Sequence, residues 1–319
     1  MATIFIFAEI NEGVINDISL QCLAAARKLS PGDRVTCFAA GSGISAVAQS
    51  LFSYGADEVV VVDDAQLKDY LTSPYRAAVG ALLAQNKFSL LLFPATTCGN
   101  DLAPVVAAGL DAACVLDGAA IRVEGGKTIV SRIEFDRKVR TCYAVNGDRP
   151  LVATLKDGIA EAPAADASKQ GTVKTLAVAL PEAKSKIVRR DVAKKSVNLK
   201  AAKIIVGAGA GIGSKDNFSK IQELANVLGA QIGATRAIVD AGWLPADHQI
   251  GQTGVTVRPD VYIACGVSGA VQHWVGISEA RKIVAINSDK NAPIMKHAHY
   301  RVAGDLNVVV PKLTKLLKG

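Results

Sequence analysis

What most constrains this chain is an alternation of short apolar runs with longer stretches of helical spacing, seen in its first part and again after Lys203. Residues 3–8, 34–39, 58–62 and 89–93 are β-type runs, and 17–29, 44–54 and 74–85 between them carry helical periodicity. Parallel strands joined by right-handed crossovers are the arrangement such alternation supports. The residue mixture agrees, because half the chain is hydrophobic and only 5% is aromatic. Ala, Val, Leu and Ile pack parallel sheets against helices, so the expected class is α/β.

After a helix candidate at 102–110 the character changes. Segments 115–123, 128–135, 138–145 and 151–155 are β-rich, broken by Glu124-Gly125-Gly126 and Asn146-Gly147-Asp148, which look like hairpin turns. An amino-terminal parallel sheet with an antiparallel extension is therefore expected. The stretch EAPAADA at 161–167 and a basic run beyond it have no long apolar pattern. They place a boundary near Asp191, giving an α/β domain over 1–191 and a second domain over 192–319. The alternative is a surface excursion within one larger domain. In the second part, 203–206, 261–264 and 282–286 read as strands and 218–228 as a helix. A closing helix at 305–317 carries Lys312 and Lys315, with Lys318 just beyond, near its negative end.

The formal charge is +7, and eight basic residues between Lys184 and Lys203 against the single acid Asp191 account for the excess. No aromatic residues are interleaved there for base stacking, so the run reads as a solvated connector or a docking surface for an acidic protein, not a nucleic-acid groove. No apolar run approaches the roughly 18 residues needed to cross a bilayer, and no signal or transit segment is recognisable. The expectation is a protein of the bacterial cytoplasm, or of the mitochondrial matrix if a presequence has been removed. Cys22, Cys37, Cys98, Cys114, Cys142 and Cys265 are scattered without zinc-ligand spacing, and read as buried small hydrophobes in a reducing compartment.

Residues 203–218, KIIVGAGAGIGSKDNF, invite a dinucleotide reading. The G-x-G-x-x-G fingerprint needs a third glycine three residues after the second. From Gly207 and Gly209 that position is Ile212, and from Gly209 and Gly211 it is Ser214. No acid ends a plausible second strand to take a ribose hydroxyl. The run is a poor nicotinamide site, and either a plain turn or a ligand-facing edge remains open.

Three later stretches, GATRAIVDAGWLP (233–245), IGQTG (250–254) and GVSGAVQHW (266–274), put Gly and small polar residues where backbone can approach a ligand closely. In this order, with VAINSD (284–289), NAPI (291–294), AGDLNVVVP (303–311) and the earlier PATTCGNDLAP (94–104), they resemble the alpha subunit of electron-transfer flavoprotein, including FixB-type proteins. The resemblance spans the whole chain. It implies an FAD-binding electron carrier, not an enzyme with its own substrate chemistry. Its carboxyl-terminal Rossmann-like domain would hold most of the flavin, and its amino-terminal domain would pack on a beta subunit. Electrons would come from acyl-CoA-type dehydrogenases of fatty-acid β-oxidation and leave for a quinone oxidoreductase or another acceptor.

The resemblance also assigns roles. Arg236 matches an arginine over the isoalloxazine, where a cation favours reduced, anionic flavin; an exposed surface arginine is the alternative. Thr235 is its neighbour, where relatives often have Ser. Thr253 matches a hydroxyl donor to flavin N5, or is a plain turn threonine, and Ile250, Gly251 and Gln252 shape that loop. His273 matches a residue facing flavin O2, where it would act as a donor; the alternative is a half-buried helix histidine. Ser268, Gly269, Ala270, Val271 and Gln272 complete a loop-to-helix segment suited to the cofactor's phosphates. Asn287, Asp305 and Leu306 match positions near the adenosine end, though Asp305 also suits a helix N-cap.

Two departures stand out. Relatives usually carry arginine where this chain has Ala210, so either another cation such as Lys215 serves the phosphates or FAD is held less tightly. HAHYR (297–301) stands where the family more often has an acidic residue before Tyr300, and at strand spacing would put His297, His299 and Arg301 on one face. The competing functions are an NAD-dependent dehydrogenase and a nucleotide-binding scaffold without flavin.

Overall fold

The computed structural model describes residues 3–135, 138–183, 185–190 and 197–318, and the chain separates into two compact units, Met1–Arg190 and Asp191–Gly319. The expected boundary residue Asp191 lies outside the described residues, as do Lys184, Lys194 and Lys195 of the basic run.

In the first unit the first five strands of the main sheet are β1 (Thr3–Phe7), β2 (Arg34–Gly41), β3 (Glu58–Asp63), β4 (Leu90–Pro94) and β5 (Ala113–Gly118). Next come β6 (Ala120–Glu124), β7 (Lys127–Glu134) and β8 (Val139–Ala144), then β9 (Leu151–Leu155) and β10 (Lys174–Thr175). The main sheet has seven strands in the order β10-β3-β2-β1-β4-β9-β5, and every pairing in it is parallel. Alternate residues serve opposite layers. Ile4 and Ile6 pack with Leu20 and Leu23 of helix α1 (Asp17–Leu29), while Phe5 and Phe7 face Val79 and Leu82 of α2 (Thr72–Gln85) and Leu102 and Val106 of α3 (Thr97–Gly109). Burial on both faces is why these strands read as continuous apolar runs.

The antiparallel part is a separate three-stranded sheet, β8-β7-β6. Its Gly125 and Gly126 both have positive φ, 58° and 74°, and close a two-residue hairpin between Glu124 and Lys127. Asn146-Gly147-Asp148 is not a hairpin turn. The chain there leaves the small sheet, and Leu151–Leu155 enters the main sheet parallel to its neighbours, every residue buried.

The second unit is a five-stranded parallel sheet of β11 (Ile204–Ala208), β12 (Gln231–Ala234), β13 (Val261–Cys265), β14 (Lys282–Asn287) and β15 (Tyr300–Ala303), in the order β12-β11-β13-β14-β15. One face packs Val206, Ala208 and Ile263 against Ile221 and Leu224 of α4 (Phe218–Leu228) and Val310 of the closing helix (Leu306–Lys318). The other packs Ile205, Tyr262 and Ala264 against Ile277 and Ile294. Two of its strands carry no apolar signature. Gln231–Ala234 is four residues long and contains a glycine, and Tyr300–Ala303 is an edge strand with every residue exposed.

HAHYR does not form one basic strand face. His297 ends the helix Pro293–His297 and stacks on Trp274 at 4.4 Å, while His299 Nδ1 accepts the Ile283 amide at 3.0 Å. The helix begins at Pro293 because proline suits a first helical turn, which breaks the strand spacing before Tyr300.

Candidate functional site

Parallel α/β sheets bind ligands outside the carboxyl ends of their strands, where the strand order reverses. In the first unit the donors near that place are already taken. Asp63, at the end of β3, accepts the amides of Gly43, Ile44 and Ser45 at 2.6, 3.1 and 3.0 Å and the Ser45 hydroxyl at 2.6 Å. Burial opposes its ionisation, but the Ser45 hydroxyl and these amides hold the carboxyl below the ordinary range. Glu9, just past β1, is buried and accepts from Asn11 Nδ2 at 2.6 Å and from the hydroxyl of Thr96, the N-cap of α3. The chain's own carboxylates fill the positions an anion would take.

In the second unit, order reverses between β11 and β13. The glycine run leaves β11 there, and four of its amides are spent within the protein. Those of Gly209, Gly211, Ile212 and Gly213 donate to the carbonyls of Cys265, Gly266, Gly209 and Ala210. The glycines serve close approach instead, since a Cβ on Gly211 would lie 2.8 Å from the Gly266 Cα, and Gly266 itself has φ +63°. The nicotinamide phosphate cradle is absent for a structural reason.

Around this point lies a cleft of about 660 Å³, within the range of small-molecule sites. Thr235 and Arg236 follow β12 on its wall. Arg236 is exposed, and its Nε donates to Asp240 Oδ2 at 3.2 Å, an i,i+4 pair that holds it only weakly. Thr235 Oγ1 is buried with no hydrogen-bond partner. The loop from Gln249 to Thr253 forms a second wall. Ile250 is buried and its amide donates to Ala234 O at 2.9 Å. Gly251 has φ +143°, and a Cβ there would meet Gln272 O at 2.6 Å, so the loop rests directly on the next segment. The Gln252 amide donates to that same carbonyl at 2.7 Å, and Thr253 Oγ1 accepts from Gln249 Nε2 at 2.9 Å.

The segment after β13 closes the cleft. Ser268, Ala270 and Gln272 line it, whereas Gly269 and Val271 do not. Gly269, at φ +80°, packs on Ile294, and Val271 begins the helix α5 (Val271–Ile277) with its side chain exposed. His273 is buried at 7% exposure with both ring nitrogens engaged. Nδ1 lies 3.0 Å from Ile250 O and Nε2 lies 2.9 Å from Tyr262 Oη. Burial pushes its pKa down to about 4, against a smaller opposing effect of the Ile250 carbonyl, so the ring is neutral at pH 7.

Asn287 lines the far wall, donating from Nδ2 to Val267 O at 2.9 Å and accepting the Asp289 amide at 2.9 Å. Asp305 and Leu306 are not brought to the cleft. Asp305 Oδ1 accepts the Asn307 amide at 2.8 Å at the start of the closing helix, and Leu306 is a core residue at 4% exposure. A cap must face its own helix, which turns this carboxylate away. Lys215 is not on the lining either, and exposed Ala210 is. Sequence reasoning missed Gln249 and Asp289 on the walls, and Tyr262 behind His273. Tyr262 sits inside an apolar strand run and reads as plain core.

The chemistry fits a flavin dinucleotide. The cleft offers an orphaned buried hydroxyl at Thr235, a loosely held guanidinium at its rim, and the hydroxyls of Ser268 and Thr253, without an acid after β12 to select a nicotinamide ribose.

Comparison with known proteins bears on this. The family model described as electron transfer flavoprotein FAD-binding domain matches residues 198–278, and that described as electron transfer flavoprotein domain matches residues 4–181. The chain is 39% identical to electron transfer flavoprotein subunit alpha of Thermoanaerobacterium thermosaccharolyticum, over 99% of this chain and 97% of that protein. It is 37% identical to the subunit alpha of Bacillus subtilis over 99% and 97% of the two chains. It is also 37% identical to protein FixB of Clostridium saccharobutylicum, over 97% and 94%.

Proposed function

The chain belongs to the electron transfer flavoprotein family as an alpha subunit, and on that premise we propose that the cleft of its second unit is where FAD sits. It is the FAD-binding alpha subunit of an electron carrier that pairs with a beta subunit. When bound, FAD supplies the redox chemistry, and the protein supplies geometry and electrostatics.

Arg236 would release Asp240 and lie against the isoalloxazine, adding positive charge where reduced flavin becomes anionic. The Thr235 hydroxyl would find its missing partner on the ring, and Thr253 would offer a hydroxyl in exchange for Gln249. Ser268, Ala270, Gln272 and Asn287 would border the ribityl and diphosphate part. The observation that carries this reading is the unpartnered Thr235 oxygen beside a weakly held arginine on one cleft wall. A buried hydroxyl without a partner costs about 1–3 kcal/mol, which a polar ligand removes.

The carrier would have no substrate chemistry of its own. Its donors would be acyl-CoA-type dehydrogenases and its acceptor a quinone oxidoreductase, with the first unit packing on the beta subunit, in the bacterial cytoplasm. Among the described residues no helix is long and apolar enough to cross a membrane, and no cluster of ligating side chains could hold a metal ion.

The test is co-expression with a beta chain. A yellow heterodimer that releases FAD on denaturation, and bleaches when an acyl-CoA dehydrogenase turns over, is expected. A colourless heterodimer that takes up no added FAD would overturn the assignment.

A further inference from the structure

Tyr262 is a fully buried residue of β13, and its hydroxyl reaches His273 Nε2 at 2.9 Å. The two ring centroids lie 6.0 Å apart with planes inclined at 51°, so the contact runs along the imidazole edge and not across its face. On the opposite edge Nδ1 is 3.0 Å from the Ile250 carbonyl. A carbonyl only accepts, so Nδ1 carries the hydrogen. Nε2 is then a bare lone pair, and the phenol must be the donor. Burial raises the Tyr262 pKa, which keeps that proton in place.

The backbone makes room for this contact. A Cβ at Gly207 would lie 2.0 Å from Tyr262 Oη, so glycine in the strand opposite is what lets the hydroxyl sit here. The first glycine of the GAGAG run thereby has a role that a phosphate cradle does not explain.

We propose that Tyr262 is a positioning residue of the flavin site: it locks His273 as the neutral Nδ1–H tautomer, so that His273 meets the cofactor with no N–H to donate. This rests on the reading of the cleft as the FAD site. It replaces the sequence expectation of a histidine donor to flavin O2. In the locked state the charge that favours reduced flavin comes from Arg236, and His273 contributes only after it takes a proton onto Nε2. Tyr262 opposes that uptake, because its donated hydrogen bond favours the neutral ring. The other titratable or charged groups on the surrounding elements are Cys265 on the Tyr262 strand, Lys282 at the start of β14, Arg236 and Asp289 on the cleft lining, and Lys296 and His297 on the helix beside Trp274. The loop 249–255 carries none.

The experiment uses the heterodimer with ¹⁵N-labelled histidine, before and after FAD is stripped, together with the pH dependence of the bound flavin's midpoint potential. The wild type should show a protonated Nδ1 and a hydrogen-bonded, unprotonated Nε2 near neutral pH. In Tyr262→Phe, Nε2 should move to the position of a free pyridine-type nitrogen, and the ring should titrate about one pH unit higher, the effect of one lost hydrogen bond. The bend in the potential-versus-pH curve should rise with it. Gly207→Ala, which displaces the hydroxyl and leaves the phenol present, should give the same nitrogen signature. A wild-type Nε2–H tautomer, or an Nε2 resonance and titration unmoved by Tyr262→Phe, would overturn the proposal. If the stripped protein behaves as stated and the flavin's pH profile does not move, the Tyr262–His273 lock stands and the placement of His273 against FAD fails.

Discussion

A Cβ on Gly209 would stand 2.3 Å from the carbonyl oxygen of Gly266, so the loops leaving β11 and β13 meet backbone against backbone. That contact shapes the floor of the cleft, with Gly211 N–H donating to the same carbonyl at 2.9 Å.

Gly209→Ala should therefore separate the loops. We expect a loss of about 1–3 kcal/mol in stability, the range for overpacking a tight site, and loss of FAD retention on gel filtration. Gly213→Ala is the control, since nothing lies within 4 Å of its Cβ and only its φ of +82° is strained. It should cost less and keep the cofactor.

Arg236→Ala should separate cofactor effects from folding. Its partner Asp240 is 63% exposed, and an exposed i,i+4 pair contributes about 0.3–0.5 kcal/mol, so thermal unfolding of the flavin-free protein should hardly change. Reduced flavin should lose about 1–2 kcal/mol of stabilisation if a partly screened cation is removed beside it, which potentiometric titration would read as a lower midpoint potential. An unchanged potential would place Arg236 away from the ring.

Ala210→Arg introduces a guanidinium at an exposed position on the lining. A charge-assisted contact to phosphate is worth about 1.5–3 kcal/mol, so FAD should dissociate at least tenfold more slowly from the variant. Equal dissociation rates would mean that the phosphates lie elsewhere.

His273 predicts an acid-side instability. Its folded pKa of about 4 lies below the unfolded 6.5. Above 6.5 both states are neutral and the group has no effect. As pH falls from 6.5 towards 4 the unfolded chain binds a proton that the folded chain refuses, so stability declines, by roughly 3 kcal/mol in all. Chemical denaturation of the flavin-free protein at pH 7, 5.5 and 4.5 should show this fall, and His273→Gln should flatten it.

NADH should not compete with FAD for this chain, because the amides of Gly209, Gly211, Ile212 and Gly213 in the glycine run are already bonded to protein carbonyls. Displacement of FAD by NADH in an equilibrium dialysis would revive the dehydrogenase reading.

Much was legible from residue order alone. Strands buried on both faces declare themselves as unbroken apolar runs, and helix 17–29 and helix 218–228 are found where their periodicity put them. The alternation therefore determined an α/β chain, and the spacing of GATR, IGQTG and SGAVQH determined the family. What residue order left undecided was partnership. Leu151–Leu155 reads equally well as a hairpin arm or a central parallel strand, since a fully apolar strand does not specify its neighbour. Tyr300–Ala303 has no buried side at all, and only the adjacent edge of β14 makes it a strand. Asp305 could have faced a ligand or its own helix, and the three-dimensional chain turned it to the helix. The same holds for His273, whose tautomer depends on a tyrosine eleven positions earlier and on a carbonyl twenty-three positions earlier. Local sequence determines which faces are apolar and where the backbone can turn, because those depend on neighbouring residues. Which polar atoms meet was decided only by tertiary structure, because a hydrogen bond acts over about 3 Å and its partners come together only when the sheet brings distant loops to one edge.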